Sequence, residues 1–226
     1  MKLAQRWIPG GWTEQTVVVA GRAFSLLVPA APDDVLCFLE QHPEASETLG
    51  LDPYWAQLWP TSERLSESVA KAGWPPGQQV VELGCGIGLV GLAALAAGMH
   101  VTFTDYNPLA VELALENARR NGLGAQANGL VVDWRNPPEQ PFDMILGSDL
   151  IYDRQLHVPL MQTIERLASD DATIWIADGG RSATEDFYAI ASKRWRIDLL
   201  DLDNQLASAI RIGEYRRMIC HLPRRT

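Results

Sequence analysis

The chain has 226 residues, 47% hydrophobic and 21% charged, enough to bury one full core. Its net charge of −9 disfavours adhesion to nucleic-acid phosphates and favours basic partners. The longest uncharged apolar run, "IGLVGLAALAAGM", has 13 residues, too few to span a bilayer, and the opening "MKLAQRWIPGGW" lacks the apolar centre of a signal peptide. Cys37, Cys85 and Cys220 are odd in number and far apart, which fits a reducing compartment without a disulfide framework. His42, His100, His157 and His221 form no ligand spacing with them. The expectation is a cytoplasmic protein with no metal, membrane or nucleic-acid partner.

At the N-terminus, "TVVVAGRAFSLLVPA" reads as a hairpin turning at Ala20-Gly21, and "DDVLCFLEQH" as a short helix. Residues 1–50 are expected to be an extension packed on a main domain of residues 51–226. From residue 78 strand-like and helix-like runs alternate. "QQVVELG", "HVTFTDY", "ANGLVVDW", "FDMILGSD" and "DATIWIADG" are five strands. Helices are expected in "LVGLAALAAGM", in "NPLAVELALENARRNG" and in "SATEDFYAIASKR". In the second of these Asn107 is the N-cap, Pro108 the first helical residue and Gly122 the stop. A further helix, in "DRQLHVPLMQTIERLAS", starts late because of Pro159. "WRIDLLDLD" and "SAIRIGEYRRMIC" close the chain as strands joined by a short loop, an antiparallel pair at one sheet edge. This alternation predicts an α/β fold, doubly wound, with a largely parallel sheet covered on both faces.

The first core strand runs into "GCGIGLVG". Glycines at a strand-to-helix turn let backbone approach a ligand and expose N–H groups at the helix start. Gly86, Gly88 and Gly91 satisfy a dinucleotide pattern, a weak signal alone. The denser Gly84, Gly86, Gly88 spacing, with Glu82 two residues before it, fits a nucleoside joined to a cationic amino acid, whose head group Glu82 would face. Asp105 ends the second strand and can accept both ribose hydroxyls, a role found in nicotinamide dinucleotide and S-adenosylmethionine proteins alike. Asp133 and Trp134 end the third, placed to accept from an adenine amino group and to cover the base. Cys85 and Tyr106 flank these positions and complete the candidate cofactor contacts with Ser148. In "FDMILGSDLIYD" the fourth strand ends on Asp149, with Tyr152 and Asp153 beyond it. A strand-end cap with a packed tyrosine is the plain alternative there. Asp153 reads as a helix N-cap or loop acid.

These residues resemble the seven-β-strand methyltransferases over roughly residues 51–220, and within them the protein-lysine methyltransferases related to methyltransferase-16. The resemblance is carried by "VVELGCGIGLVGLAA", "VTFTDYNPLAVELALENARRNG", "DW" at 133–134, "FDMILGSDLIYD" and "DPYWAQLWPTSERLSE". It implies a Rossmann-like sheet of order 3-2-1-4-5-7-6 with the last hairpin antiparallel, and S-adenosyl-L-methionine as cofactor. Trp59 would lie beside the cofactor, Gly84, Gly86 and Gly88 along its methionine and ribose side, and Asp105 on the ribose. Trp134 would border the adenine, with Ser148 and Asp149 facing the methyl donor. The implied reaction is N-methylation, with a lysine side chain of a protein substrate as the leading acceptor. Asp149 would hold and orient the amine, and Tyr152 would wall its channel. The exit S-D-L-I-Y, unlike N-P-P-Y, argues against amide or base-amine acceptors. A small nicotinamide-like amine is the alternative acceptor, with Tyr54 and Trp55 helping to close the pocket. A non-catalytic S-adenosylmethionine-binding module and a nicotinamide-dependent oxidoreductase rank below both.

Overall fold

The computed structural model describes residue 3 and residues 6–42 and 53–223. The expected boundary between extension and main domain, at residues 50 and 51, lies outside the described residues. Strands β1 (Trp12–Val19) and β2 (Arg22–Pro29) form the N-terminal hairpin, with Val19 opposite Arg22. Ala20 and Gly21 between them both have positive φ, 49° and 82°, as a two-residue turn matched to strand twist requires. Helix α1 (Pro32–Gln41) follows, then a short 3-10 turn (Pro53–Ala56) and helix α2 (Pro60–Lys71), each α-helix opening on a proline.

The main sheet has seven strands. β3 (Gln79–Leu83), β4 (His100–Asp105), β5 (Ala127–Val131), β6 (Phe142–Ser148) and β7 (Ala168–Asp178) are parallel. β9 (Arg216–His221) runs antiparallel between β7 and the edge strand β8 (Arg196–Leu200). The order is β5-β4-β3-β6-β7-β9-β8, which is the order 3-2-1-4-5-7-6 expected for the core strands. Helices α3 (Leu89–Ala96), α4 (Pro108–Arg120), α5 (His157–Leu167) and α6 (Ser182–Ala191) make the crossovers. Asn107 caps α4 by accepting from the Leu109 N–H at 2.9 Å. Asp153 does the same for the short turn before α5, accepting from Gln155 N–H at 2.8 Å. Pro159 falls in the first turn of α5, where its missing N–H has no helical partner to lose.

Alternate residues of each central strand enter opposite cores, so both sheet faces are buried. Val80, Phe103, Leu146 and Ala177 join one core with α2, α3, α4 and the hairpin. Val81, Leu83, Ile145 and Ile176 join the other with α5 and α6. The hairpin is tied to α4 by two asparagines one turn apart. Asn117 is fully buried; it accepts from Leu27 N–H at 2.7 Å and donates to the carbonyls of Leu27 and Ile87. Asn121 accepts from Ser25 N–H and donates to Ser25 O. Ser25 and Leu27 lie two apart on β2, so these amides satisfy the backbone edge that β1 leaves open.

One expectation needs correction. The closing strands are not joined by a short loop, and "SAIRIGEYRRMIC" is strand only from Arg216. Residues 201–215 form a long connection that folds back on itself. Gly213 adopts φ 78° and the Arg216 guanidinium binds the carbonyl of Ala209, which draws this stretch out of the ladder.

Candidate active site

A cavity of about 600 Å³ opens at the carboxyl ends of β3, β4, β5 and β6, where open α/β sheets bind ligands. It brings together Trp59, Gly84, Cys85, Gly86, Gly88, Asp105, Tyr106, Asp133, Trp134, Ser148, Asp149 and Tyr152. Glu82 is the exception among the sequence-derived residues and does not line it. Its carboxyl is buried beneath the glycine turn and accepts the Gly91 N–H at 2.8 Å. Burial, aided by the nearby charge of Asp105, pushes its pKa up to about 8. The physical reason for the correction is β-strand alternation: Glu82 points into the sheet face under α3 rather than toward the cavity mouth. It anchors the start of α3 instead of facing a ligand head group.

The turn needs its glycines for close packing. Gly88 has φ 86°, and a Cβ there would lie 2.7 Å from the Cβ of Ala114 on α4. Asp105 braces the same turn, its Oδ2 accepting Gly86 N–H at 3.1 Å and its Oδ1 accepting Asn107 N–H at 2.9 Å. The same carboxylate lines the cavity, where a ribose diol would meet an acceptor. Asp133 is engaged by Arg135, whose side-chain hydrogen bond holds its carboxyl below the usual range. The Arg135 guanidinium also covers the exposed Tyr106 ring at 5.9 Å. Trp134 lies beside Gly84 and is held through its carbonyl by Thr163 of α5.

Asp149 is the most constrained residue of the site. It has φ 58°, a conformation costly for a residue with a Cβ, while its N–H still extends the ladder to Ala177 O at 2.9 Å. Oδ1 accepts from Thr61 of α2 at 3.1 Å and pairs with Arg181 at 2.6 Å. Oδ2 is buried and has no hydrogen-bond partner among the described residues. Burial raises the pKa of this carboxyl most; Arg181 and Thr61 oppose the rise and Asp178 adds to it.

Arg181, Asp178 and Thr61 are the functional neighbours that sequence reading missed. Asp178, fully buried, ends β7 and accepts from the backbone of Gly180 and Arg181, from Thr184, and from the Arg181 guanidinium at 2.9 Å. The available signal was a further acid at a further strand exit, in "ADGGR". No local signal marks Thr61, which lies 88 residues from Asp149. The Arg181 guanidinium also covers the Trp59 ring at 5.3 Å. Trp59 donates to Tyr54 O, and Tyr54 stands edge-on to both Trp59 and Tyr152. This aromatic row walls the side of the cavity nearest Asp149. Trp55 also lines it, with a buried Nε1–H that has no hydrogen-bond partner among the described residues.

The cavity therefore offers a diol acceptor at Asp105, a glycine-lined backbone cradle, and unpartnered polar atoms on Asp149 and Trp55. That donor and acceptor set fits a nucleoside carrying an amino-acid arm.

A family model for lysine methyltransferases matches residues 56–194, more than half of the chain. Over 137 residues the chain is 31% identical to the protein N-lysine methyltransferase METTL21A of Danio rerio, covering 57% of this chain and 62% of that protein. Over 138 residues it is 30% identical to the electron transfer flavoprotein beta subunit lysine methyltransferase of Danio rerio, covering 60% and 53%. The aligned region thus spans little more than half the length of these relatives. Among solved structures, a TehB-like S-adenosylmethionine-dependent methyltransferase from Corynebacterium glutamicum shares the fold, with TM-score 0.56, 18% identity, and 86% of this chain and 100% of that one covered. The match to the family model over more than half of the chain's length shows that this chain belongs to the lysine methyltransferase family.

Proposed function

We propose that this chain transfers a methyl group from S-adenosylmethionine to the side-chain amine of a lysine in a protein substrate. The observation that carries the reading is Asp149: a buried carboxylate with one oxygen engaged by Arg181 and Thr61 and the other unpartnered beside an aromatic wall. The names of the relatives METTL21A and the flavoprotein methyltransferase support the acceptor class. When bound, S-adenosylmethionine supplies an electrophilic methyl on a sulfonium. Gly84, Gly86 and Gly88 would admit its amino-acid arm, Asp105 its ribose, and Trp134 and Tyr106 its base, with Cys85, Ser148 and Trp59 around the sulfur side.

An amine attacks only when deprotonated. A carboxylate already paired with a guanidinium stabilises an ammonium less than a lone carboxylate does, so the site does not lock the lysine in its protonated form. Asp149 Oδ2 then accepts an amine N–H and aims the lone pair. Tyr152, Tyr54 and Trp59 exclude water and confine the alkyl stem. Asp149 thus orients the amine rather than acting as a strong base.

We take residues 51–226 as the transferase domain and residues 1–50 as an extension whose hairpin shares the core of α3 and α4. Cytoplasmic residence is our reading of the three free thiols. Among the described residues, no helix is long and apolar enough to cross a membrane.

Incubating the protein with labelled S-adenosylmethionine and a lysate should label a protein band at lysine. Label confined to small molecules would assign the alternative acceptor, a small amine. S-adenosylhomocysteine should raise the melting temperature and NADH should not; stabilisation by NADH alone overturns the cofactor. Asp149→Asn should lower transfer at least about 100-fold with cofactor binding retained.

A further inference from the structure

Across the first turn of α2 from the active site lies a second cavity, of about 750 Å³. Trp59 and Ser62 face the first cavity, whereas Pro60, Glu63 and Arg64 face the second. Trp175 of β7 and Arg217 of β9 form its floor, and Leu202, Asp203 and Asn204 of the β8–β9 connection close one side.

Two consecutive buried arginines on β9 have opposite surroundings. Arg216 donates to the Glu214 carboxylate at 2.6 Å, to Ala209 O at 3.0 Å and to Tyr215 O at 2.8 Å. Arg217 is equally buried, at 5% exposure, yet forms no ion pair with a described residue. Its side chain donates from Nη2 to the Asn204 amide oxygen at 2.8 Å, and its buried Nε–H meets no acceptor among the described residues. The guanidinium stacks on Trp175, 4.1 Å from the ring centre. Stacking satisfies a face of the guanidinium and leaves its edge donors unanswered. The hydroxyl of Tyr215, on the same cavity, is buried beside Ser68 and Arg217. A buried cation held by one neutral amide and a ring is incomplete without an anion.

We propose that Arg217 anchors a carboxylate-binding site in this cavity, filled by an acidic side chain of a docking polypeptide. Glu63, Glu67 and Asp203 line the walls together with Arg64 and Lys71, and Lys71 pairs with Glu67 at 2.5 Å, so the wall acids are largely offset and the planar edge of the Arg217 guanidinium is left to match a single carboxylate. Leu202 at the rim, and Leu206 and Ile212 farther along the same connection, are exposed apolar side chains of the kind a polypeptide covers. The site stands apart from the proposed methyl transfer and does not depend on it.

The test follows the Arg217 Nε–H resonance in full-length protein labelled with ¹⁵N-arginine. It is titrated separately with acetate, inorganic phosphate, and a blocked peptide of alternating alanine and glutamate. A saturable shift with the peptide, at least tenfold tighter than with acetate, supports the proposal, provided that calorimetric titration of the same peptide, which binds the wild type, shows no binding to Arg217→Met. Arg217→Lys, which keeps a cation on the Trp175 face, should bind the peptide more weakly than the wild type. Saturation by acetate with no gain from the peptide keeps the carboxylate site but overturns the polypeptide as its source. No saturable shift, or tighter binding of phosphate than of either carboxylate, overturns the site.

Discussion

Burial raises the pKa of Asp149, and the Arg181 guanidinium 2.6 Å away pulls it back down. Removing that cation leaves burial and Asp178 unopposed except by Thr61. Arg181→Ala should therefore shift the acid limb of the kcat/KM profile to higher pH, and Arg181→Lys should restore most of it. An unmoved limb would mean that Arg181 only packs on Trp59. Glu82 gives a stability prediction of definite sign. Its carboxyl titrates near 4.5 in the unfolded chain and near 8 in the fold. Its contribution is fully present below 4.5 and is lost as pH rises through 8, because the unfolded state ionises first. Glu82→Gln keeps an acceptor for Gly91 and removes that slope. Thermal midpoints of variant minus wild type should grow steadily between pH 5 and pH 8. Glu82 and Asp149 are both acids near strand exits, and sequence placed both at the ligand. Alternation buried one of them under α3, and a left-handed backbone turned the other toward β7. Neither outcome is visible in residue type.

Between elements, α4 is tied to β2 by buried hydrogen bonds. Asn117 makes three buried hydrogen bonds there, two of them to Leu27. Asn117→Ala should cost about 3 kcal/mol, since it leaves buried backbone groups unpaired as well as removing bonds. Faster hydrogen exchange at Leu27 and Ser25, relative to the β3 amides, would place the loss at the hairpin. The helices and strands were legible in the chain because their cues are local: Asn107 before Pro108, Ala20-Gly21 between β-branched runs, and apolar runs bounded by turn residues. The β8–β9 connection was not. "SAIRI" has strand composition, but the Arg216 bond to Ala209 O and the turn at Gly213 remove it from the ladder.

For the molecule as a whole, the net charge of −9 should steer a basic protein substrate toward the site. Raising ionic strength from about 0.05 M to about 0.3 M shortens the screening length about 2.5-fold, enough to mask charges beyond the first contacts. KM for a basic protein acceptor should rise while kcat holds, whereas a KM indifferent to salt would point to a small neutral amine. Composition, periodicity and the glycine turn were enough to read the α/β class and to gather the strand-end acids in one place, because a parallel sheet brings its strand exits to one edge; the seven-strand order and the place of Trp59 came from the family resemblance. Packing alone revealed how those groups are charged and paired. Thr61 and Arg181 reach Asp149 from separate elements while Asp178 pairs with Arg181 from a third, and Arg217 reaches its cavity from β9, inside the sheet. Burial and pairing are properties of neighbours brought from distant parts of the chain, and they set the protonation and reach of each side chain.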